Sequence, residues 1–208
     1  MRTVLIIILI AVISLGGCNM QNRFLYFPSA EWPTERMLEY EKMKLWAAVT
    51  DDYQGLVSAG DAPAPNGTIV LFHGNGGTAL DRGFYLKPFT NLGFRVILAE
   101  YPKYGGRPGK VGEKHFVADG RKTIRLAHEQ YGDPLYLAGE SLGCGVAAAI
   151  AGQTSVPVAG IILITPWDTL ASVAKSLFPF VAQKRVKLRA QIIQLTASVR
   201  NSLSNIIN

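Results

Sequence analysis

Gly139-Glu140-Ser141-Leu142-Gly143 follows the apolar run Leu135-Tyr136-Leu137-Ala138 and leads into Cys144-Gly145-Val146-Ala147-Ala148-Ala149-Ile150-Ala151. That order reads as a strand, a one-residue corner and a helix of small residues. G-x-S-x-G in such a setting makes a nucleophile elbow, in which the serine sits at a strained turn and its Oγ stands clear of the sheet. Gly139 and Gly143 fit because a Cβ at either place would collide where the strand and helix backbones nearly touch. The helix turns its positive N-terminal end toward any anion that forms beside Ser141. Five-residue patterns with two glycines also arise by chance, so the weight rests on the strand before the motif and the buried-looking helix after it.

Working outward, Thr68–Phe72 is a continuous apolar strand of the kind buried on both faces of a sheet, and Phe94–Ala99 is a second. Leu80, Phe84, Leu86 and Phe89 suggest a helix between them. Phe116, Gly120, Ile124, Ala127 and Tyr131 fall at helical spacing before the elbow strand, and Val158–Ile164 is another apolar strand after it. Lys44–Thr50 and Tyr53–Ala59 read as a first hairpin, and 60–67, with Pro63, Pro65 and Asn66-Gly67, as turn chemistry. Strands alternating with helices predict an α/β fold with a mostly parallel sheet and helices on both faces.

His73-Gly74-Asn75-Gly76-Gly77 leaves the end of the first buried strand. Acyl transfer needs donors aimed at an oxyanion, and glycines there let the backbone approach a substrate. The expected donors are the N–H of Leu142 and that of Asn75 or Gly76, with His73, Gly74 and Gly77 supporting the loop. A reading from another class uses the same residues. Gly74-x-Gly76-x-x-Ala79 satisfies a dinucleotide fingerprint, and Glu100 ends the next strand where a ribose-binding acid would sit. It leaves the serine corner unexplained, and the loop opens on His-Gly, so the hydrolase reading is preferred.

These three stretches, His73–Gly77, Tyr101-Pro102-Lys103-Tyr104-Gly105 and Gly139–Gly143, resemble the α/β-hydrolase superfamily, nearest to its serine aminopeptidase-like and lipase-like branch. The resemblance covers roughly 44–180 and implies Ser141 as nucleophile in ester, thioester or amide hydrolysis. Lys103 stands where the family often has glycine. The family order is Ser, then Asp or Glu, then His. Here His73, His115 and His128 all precede Ser141, and Asp168 is the one acid after it. His115 and His128 flank the apolar face of their helix and read as surface residues. Asp168 remains a weak candidate for the triad acid. The expectation is an incomplete, C-terminally truncated hydrolase core with impaired or absent turnover. The alternative is a non-catalytic protein that binds a ligand or partner.

The 208 residues are 49% hydrophobic and 17% charged, which suits one globular domain with a substantial core. The net charge of +6 has a location. All 15 acids lie at or before Asp168, whereas Lys175, Lys184, Arg185, Lys187, Arg189 and Arg200 follow it. Leu188, Ile192, Leu195, Val199, Leu203 and Ile206 form a stripe at helical spacing in that tail. The stripe suits a strand edge or anionic lipid, and the abrupt shift in composition also suits foreign, out-of-frame sequence.

At the other end, Arg2 precedes the apolar run Val4–Leu15 and then Gly16-Gly17-Cys18. This fits a secretory signal better than a spanning helix, and its Cys18 resembles the lipidated cysteine of a bacterial lipobox, with Gly16 where Ala, Ser or Thr is more usual. The expected organisation is a signal peptide (1–17), a lipidated arm (18–43), the hydrolase core (44–180) and a basic amphipathic tail (181–208). The expected place is the bacterial cell envelope, anchored through Cys18. Cys144 reads as a small packing residue rather than a reactive thiol. No cofactor or metal is implied, the expected partners are a small-molecule or peptide substrate and the membrane, and no aromatic–basic interleaving points to nucleic acid.

Overall fold

The computed structural model describes residues 25–47, 52–60 and 66–164. The expectations for Cys18, for Asp168, for the leader and for the tail lie outside the described residues. In chain order the elements are β1 (Phe27–Pro28), α1 (Glu35–Glu41), β2 (Met43–Trp46), β3 (Gly55–Ser58), β4 (Thr68–Phe72), β5 (Gly76–Gly77), a 3₁₀ helix (Leu80–Tyr85), α2 (Leu86–Asn91), β6 (Arg95–Ala99), α3 (Glu113–Tyr131), β7 (Leu135–Glu140), α4 (Leu142–Ala151) and β8 (Gly160–Ile164).

Six strands form one sheet in the order β2-β3-β6-β4-β7-β8. The β2–β3 and β3–β6 pairs are antiparallel, and the β6–β4, β4–β7 and β7–β8 pairs are parallel. The mostly parallel α/β sheet read from the sequence is therefore the fold. β4 lies at its heart, and successive side chains of a strand point to opposite faces. Val70 and Phe72 pack with Phe116, Ile124, Ala127, Val146, Ala147 and Ile150 from α3 and α4. Ile69 and Leu71 pack on the other face with Leu38, Ala79 and Leu86. Each such side chain contributes about 1.5–3 kcal/mol on full burial, which is why β4 has no polar alternation.

α3 follows its sequence pattern, with Phe116, Gly120, Ile124 and Ala127 buried. Gly120 is where it crosses closely, because a Cβ there would come within 2.5 Å of Ile150 Cδ1 and 3.0 Å of Phe72 Cε1. The helix stops at Gly132, whose φ of 69° suits a glycine and whose N–H donates to the His128 carbonyl.

Three local readings change. The stretch after the glycine loop begins as 3₁₀ and becomes α only at Leu86. Side chains three apart eclipse in a 3₁₀ helix, so Leu80, Gly83, Leu86 and Phe89 turn inward while Phe84 is exposed. The arm also holds a helix, α1, which begins at the Thr34 cap, where Oγ1 accepts from the Met37 N–H, and packs Leu38 into the core. The first hairpin is shorter than its sequence pattern, with Met43 opposite Ser58 and Trp46 opposite Gly55. Among the described residues no helix is long and apolar enough to cross a membrane.

Candidate active site

Strand register brings the site together. Phe72 pairs with Ala99 on one side and with Gly139 on the other. His73, Glu100 and Glu140 therefore leave the sheet side by side, at the carboxyl ends of three neighbouring parallel strands. Crevices at that edge are where open α/β sheets bind ligands.

Ser141 lies between β7 and α4 with φ 51° and ψ −111°. Such a conformation for a residue with a Cβ stores on the order of 1–3 kcal/mol. The surrounding backbone enforces it. A Cβ on Gly143 would overlap the Phe72 carbonyl, and one on Gly139 would lie 2.6 Å from Cys144 Cα. The Ser141 N–H donates to the Ile164 carbonyl at 3.0 Å, tying the corner to the end of β8. Cys144 is buried, its thiol donates to the Gly139 carbonyl at 2.9 Å, and burial raises its pKa. Leu142 and Gly143 supply the first amides of α4, which have no partner within the helix.

The facing loop is close. The Cβ position of Gly74 is 3.6 Å from Ser141 Cβ and 3.0 Å from Glu140 Oε1. Arg82 spans the gap between the two segments, donating from Nε to Glu140 Oε2 at 3.0 Å and from Nη2 to Glu140 Oε1 at 3.1 Å.

His73 is 0% exposed and Glu100 1%. His73 Nδ1 lies 2.7 Å from the Gly74 carbonyl and must therefore carry a proton. Its Nε2 lies 2.8 Å from Glu100 Oε1, so one further proton is held between them. Glu100 also accepts from the Ala79 N–H at 2.9 Å and the Tyr101 N–H at 3.2 Å. Glu100 is buried and its oxygens already serve three donors from the protein, so it is not presented to a ribose, which weighs against the dinucleotide reading. Both nitrogens of His73 are committed as well, so it holds the loop and cannot accept a proton from Ser141.

The rest of the loop is held from outside. Tyr101 Oη donates to the His73 carbonyl and Tyr104 Oη to the Asn75 carbonyl, both at 2.9 Å. Asn75 Nδ2 donates to the Leu25 carbonyl at 2.6 Å, and β1 pairs with β5, setting Phe27 beside Gly76 and Pro28 beside Gly77. The arm thus forms one wall of the site. Lys103 has φ 75°, a conformation that favours glycine, which explains the residue common in the family at that place. Arg107 donates to the Glu100 carbonyl and makes a two-pronged pair with Asp119 at 2.7 and 2.9 Å. His115 is exposed on α3, and His128 faces Asp133 at 3.4 Å on the surface.

Sequence reasoning missed three parts: Glu100 as the brace of the loop, the Arg82–Glu140 pair, and the arm. A signal existed for Glu100, because an acid directly after a buried strand must find donors. None existed for the arm, whose partners are about fifty residues away.

Comparison with known proteins agrees with this geometry. An uncharacterized protein of Mycobacterium tuberculosis is 29% identical over 201 residues, covering 90% of this chain and 69% of that protein. The lysophosphatidylserine lipase of Mus musculus is 32% identical over 123 residues, 56% of this chain and 31% of the lipase. Among solved structures, an α/β-hydrolase from Vibrio vulnificus matches with a TM-score of 0.50 at 17% identity, over 74% of this chain and 55% of that one. The match to the family model described as serine aminopeptidase, S33, spans residues 63–205 and so runs on beyond position 180, where the hydrolase core expected from the sequence ends. The chain belongs to this serine aminopeptidase (S33) family of the α/β-hydrolase superfamily.

Proposed function

We propose that Ser141 is the nucleophile of an ester, thioester or amide hydrolase, with the N–H groups of Leu142 and of Asn75 or Gly76 as oxyanion donors. The observation that carries this is the backbone at Ser141, a strained corner that opens α4 directly opposite the Gly74 loop. In the reaction Oγ bonds to the substrate carbonyl carbon and the carbonyl electron pair moves to oxygen. That oxygen lies at the positive end of α4 and between two sets of backbone donors. A small-molecule or peptide ester fits the family.

The Oγ proton needs an acceptor. The chain's three histidines are otherwise placed: His73 is committed on both nitrogens, His115 is exposed on α3, and His128 faces Asp133. Asp168, four residues beyond Ile164, stays a weak acid candidate. We therefore expect this 208-residue chain to acylate slowly and turn over little. Serine hydrolases without a functioning triad keep about 10³–10⁴-fold catalysis over water from the oxyanion hole and binding. The commitment of His73 favours a second reading, a non-catalytic protein that binds a ligand at the same cleft. In either case we propose export and anchoring at the cell envelope through lipidated Cys18.

A fluorophosphonate probe tests the first reading on the full chain. Slow labelling that disappears in Ser141→Ala supports Ser141 as nucleophile. Equal labelling of the parent and Ser141→Ala overturns it, and no labelling of a chain shown to be folded by circular dichroism supports the binding reading.

A further inference from the structure

We infer that the sheet edge carrying Ser141 and the His73–Gly77 loop lies against the lipid bilayer, with the ring of Phe27 set into the leaflet. The inference rests on the lipidation of Cys18 proposed above, and it adds an orientation that lipidation alone does not give.

Two edges of the domain compete for the membrane, and each exposes an aromatic ring. Phe27, 62% exposed, is on β1, which is paired to the glycine loop. Tyr40, 84% exposed, is at the opposite edge. It closes α1 just before Met43, Met43 pairs with Ser58, and Val57 pairs with Ile97, so this end lies where β6 begins. Phe84 is exposed too, and its neighbour Gly83 abuts Glu41 and Met43 near that second edge. Exposure does not choose between the two edges.

Chain length does. Seven Cα-to-Cα steps lead from Cys18 to Leu25, and fully extended they reach about 25 Å. The Leu25 carbonyl is fixed to Asn75 Nδ2 at 2.6 Å, at the site edge. A domain of this size is about 35 Å across. To lay the Tyr40 edge on the bilayer, the tether would have to run the full height of the domain, which it cannot span. The Phe27 edge needs almost none of that length. Phe27 is also rigidly presented, since β1–β5 pairing and the Ser29 carbonyl, which accepts from the Gly105 N–H at 2.8 Å, hold its backbone. An aromatic ring held at this level suits the interfacial zone of a leaflet. Esters carried by membrane lipids would then be the ones nearest Ser141.

The test uses the full, lipidated chain in vesicles of phosphatidylethanolamine and phosphatidylglycerol. Nitroxide labels are placed at Phe27→Cys or Tyr40→Cys, with Pro28→Cys as a second position should the first disturb folding. Cys144 is buried and stays unlabelled. Collision with oxygen, which concentrates in lipid, is compared with collision with a water-soluble nickel chelate. The expected oxygen-to-nickel ratio is several-fold higher at 27 (or 28) than at 40. Equal ratios, or a higher one at 40, in vesicle-bound protein overturn the orientation and leave the lipid anchor standing. A chain that fails to float with the vesicles removes the anchor, and the orientation with it.

Discussion

The corner at Ser141 and the loop at His73–Gly77 face each other across a few ångströms, yet different forces hold them. The corner is set by backbone against backbone. Gly139 touches Gly143 and Cys144, Gly143 touches Phe72, and one short stretch of sequence contributes most of the contacts. The loop is set by side chains drawn from distant segments: Glu100, Tyr101 and Tyr104 after β6, and Leu25 and Phe27 from the arm. Steric exclusion fixes the first, and satisfied buried polar groups fix the second. A corner of the first kind tolerates no added atom, whereas a loop of the second kind fails when a partner far along the chain is lost.

The largest effect should come from Gly143→Ala. Its new Cβ would overlap the Phe72 carbonyl, and neither backbone can yield, so the expected loss is about 3 kcal/mol or more by urea denaturation. Gly145→Ala, two residues on in the same helix, meets nothing within 4 Å and should stabilise by about 0.5–1 kcal/mol through helix propensity. Similar stabilities for the two variants would break the steric account of the corner.

Next in size is Glu100→Ala, which leaves His73 Nε2 and the Ala79 and Tyr101 N–H groups buried without their acceptor. The expected loss is about 3 kcal/mol, with faster amide exchange across 74–77 while the corner stays protected. Uniform loosening of both segments would mean that the loop is not separately held.

Smaller, and confined to alkaline solution, is the response of the loop tyrosines. Burial, first of all, raises Tyr101 well above the ordinary tyrosine value and raises Tyr104 too, with neighbouring negative charge adding to both. The folded state therefore favours the protonated phenols. Their contribution is complete below about pH 10 and is lost as pH climbs from there toward the raised folded values. Tyr101 should lose stability by up to about 1.4 kcal/mol per pH unit in that window, and Tyr104, which is more open to solvent screening, by less. Denaturation between about pH 9 and 11.5 should show this decline, less steep in Tyr104→Phe. A flat profile would show that the phenol contacts do not hold the loop.

The two segments differ in legibility for the same reason that they differ in mechanics. G-x-S-x-G lies within five residues, and the apolar strand before it and the small residues after it are its immediate neighbours. Strand–corner–helix was readable there, as was the buried β4 from its unbroken apolar run. Glu100 was visible as a strand-ending acid, but its two possible jobs, a ribose or a loop, could be told apart only once its three donors were placed. The pattern from Leu80 to Phe89 misled at Phe84, because a 3₁₀ start shifts the inward positions to every third residue.

By itself, then, the sequence determined the parallel core, the strained serine corner and the glycines it requires, because periodicity and steric exclusion act between near neighbours. Tertiary structure alone decided what braces the facing loop, why His73 is unavailable as a base, and which wall of the site the arm builds. Those outcomes depend on where buried donors and acceptors find one another, and β-sheet register brings together residues that are 27 to 58 positions apart.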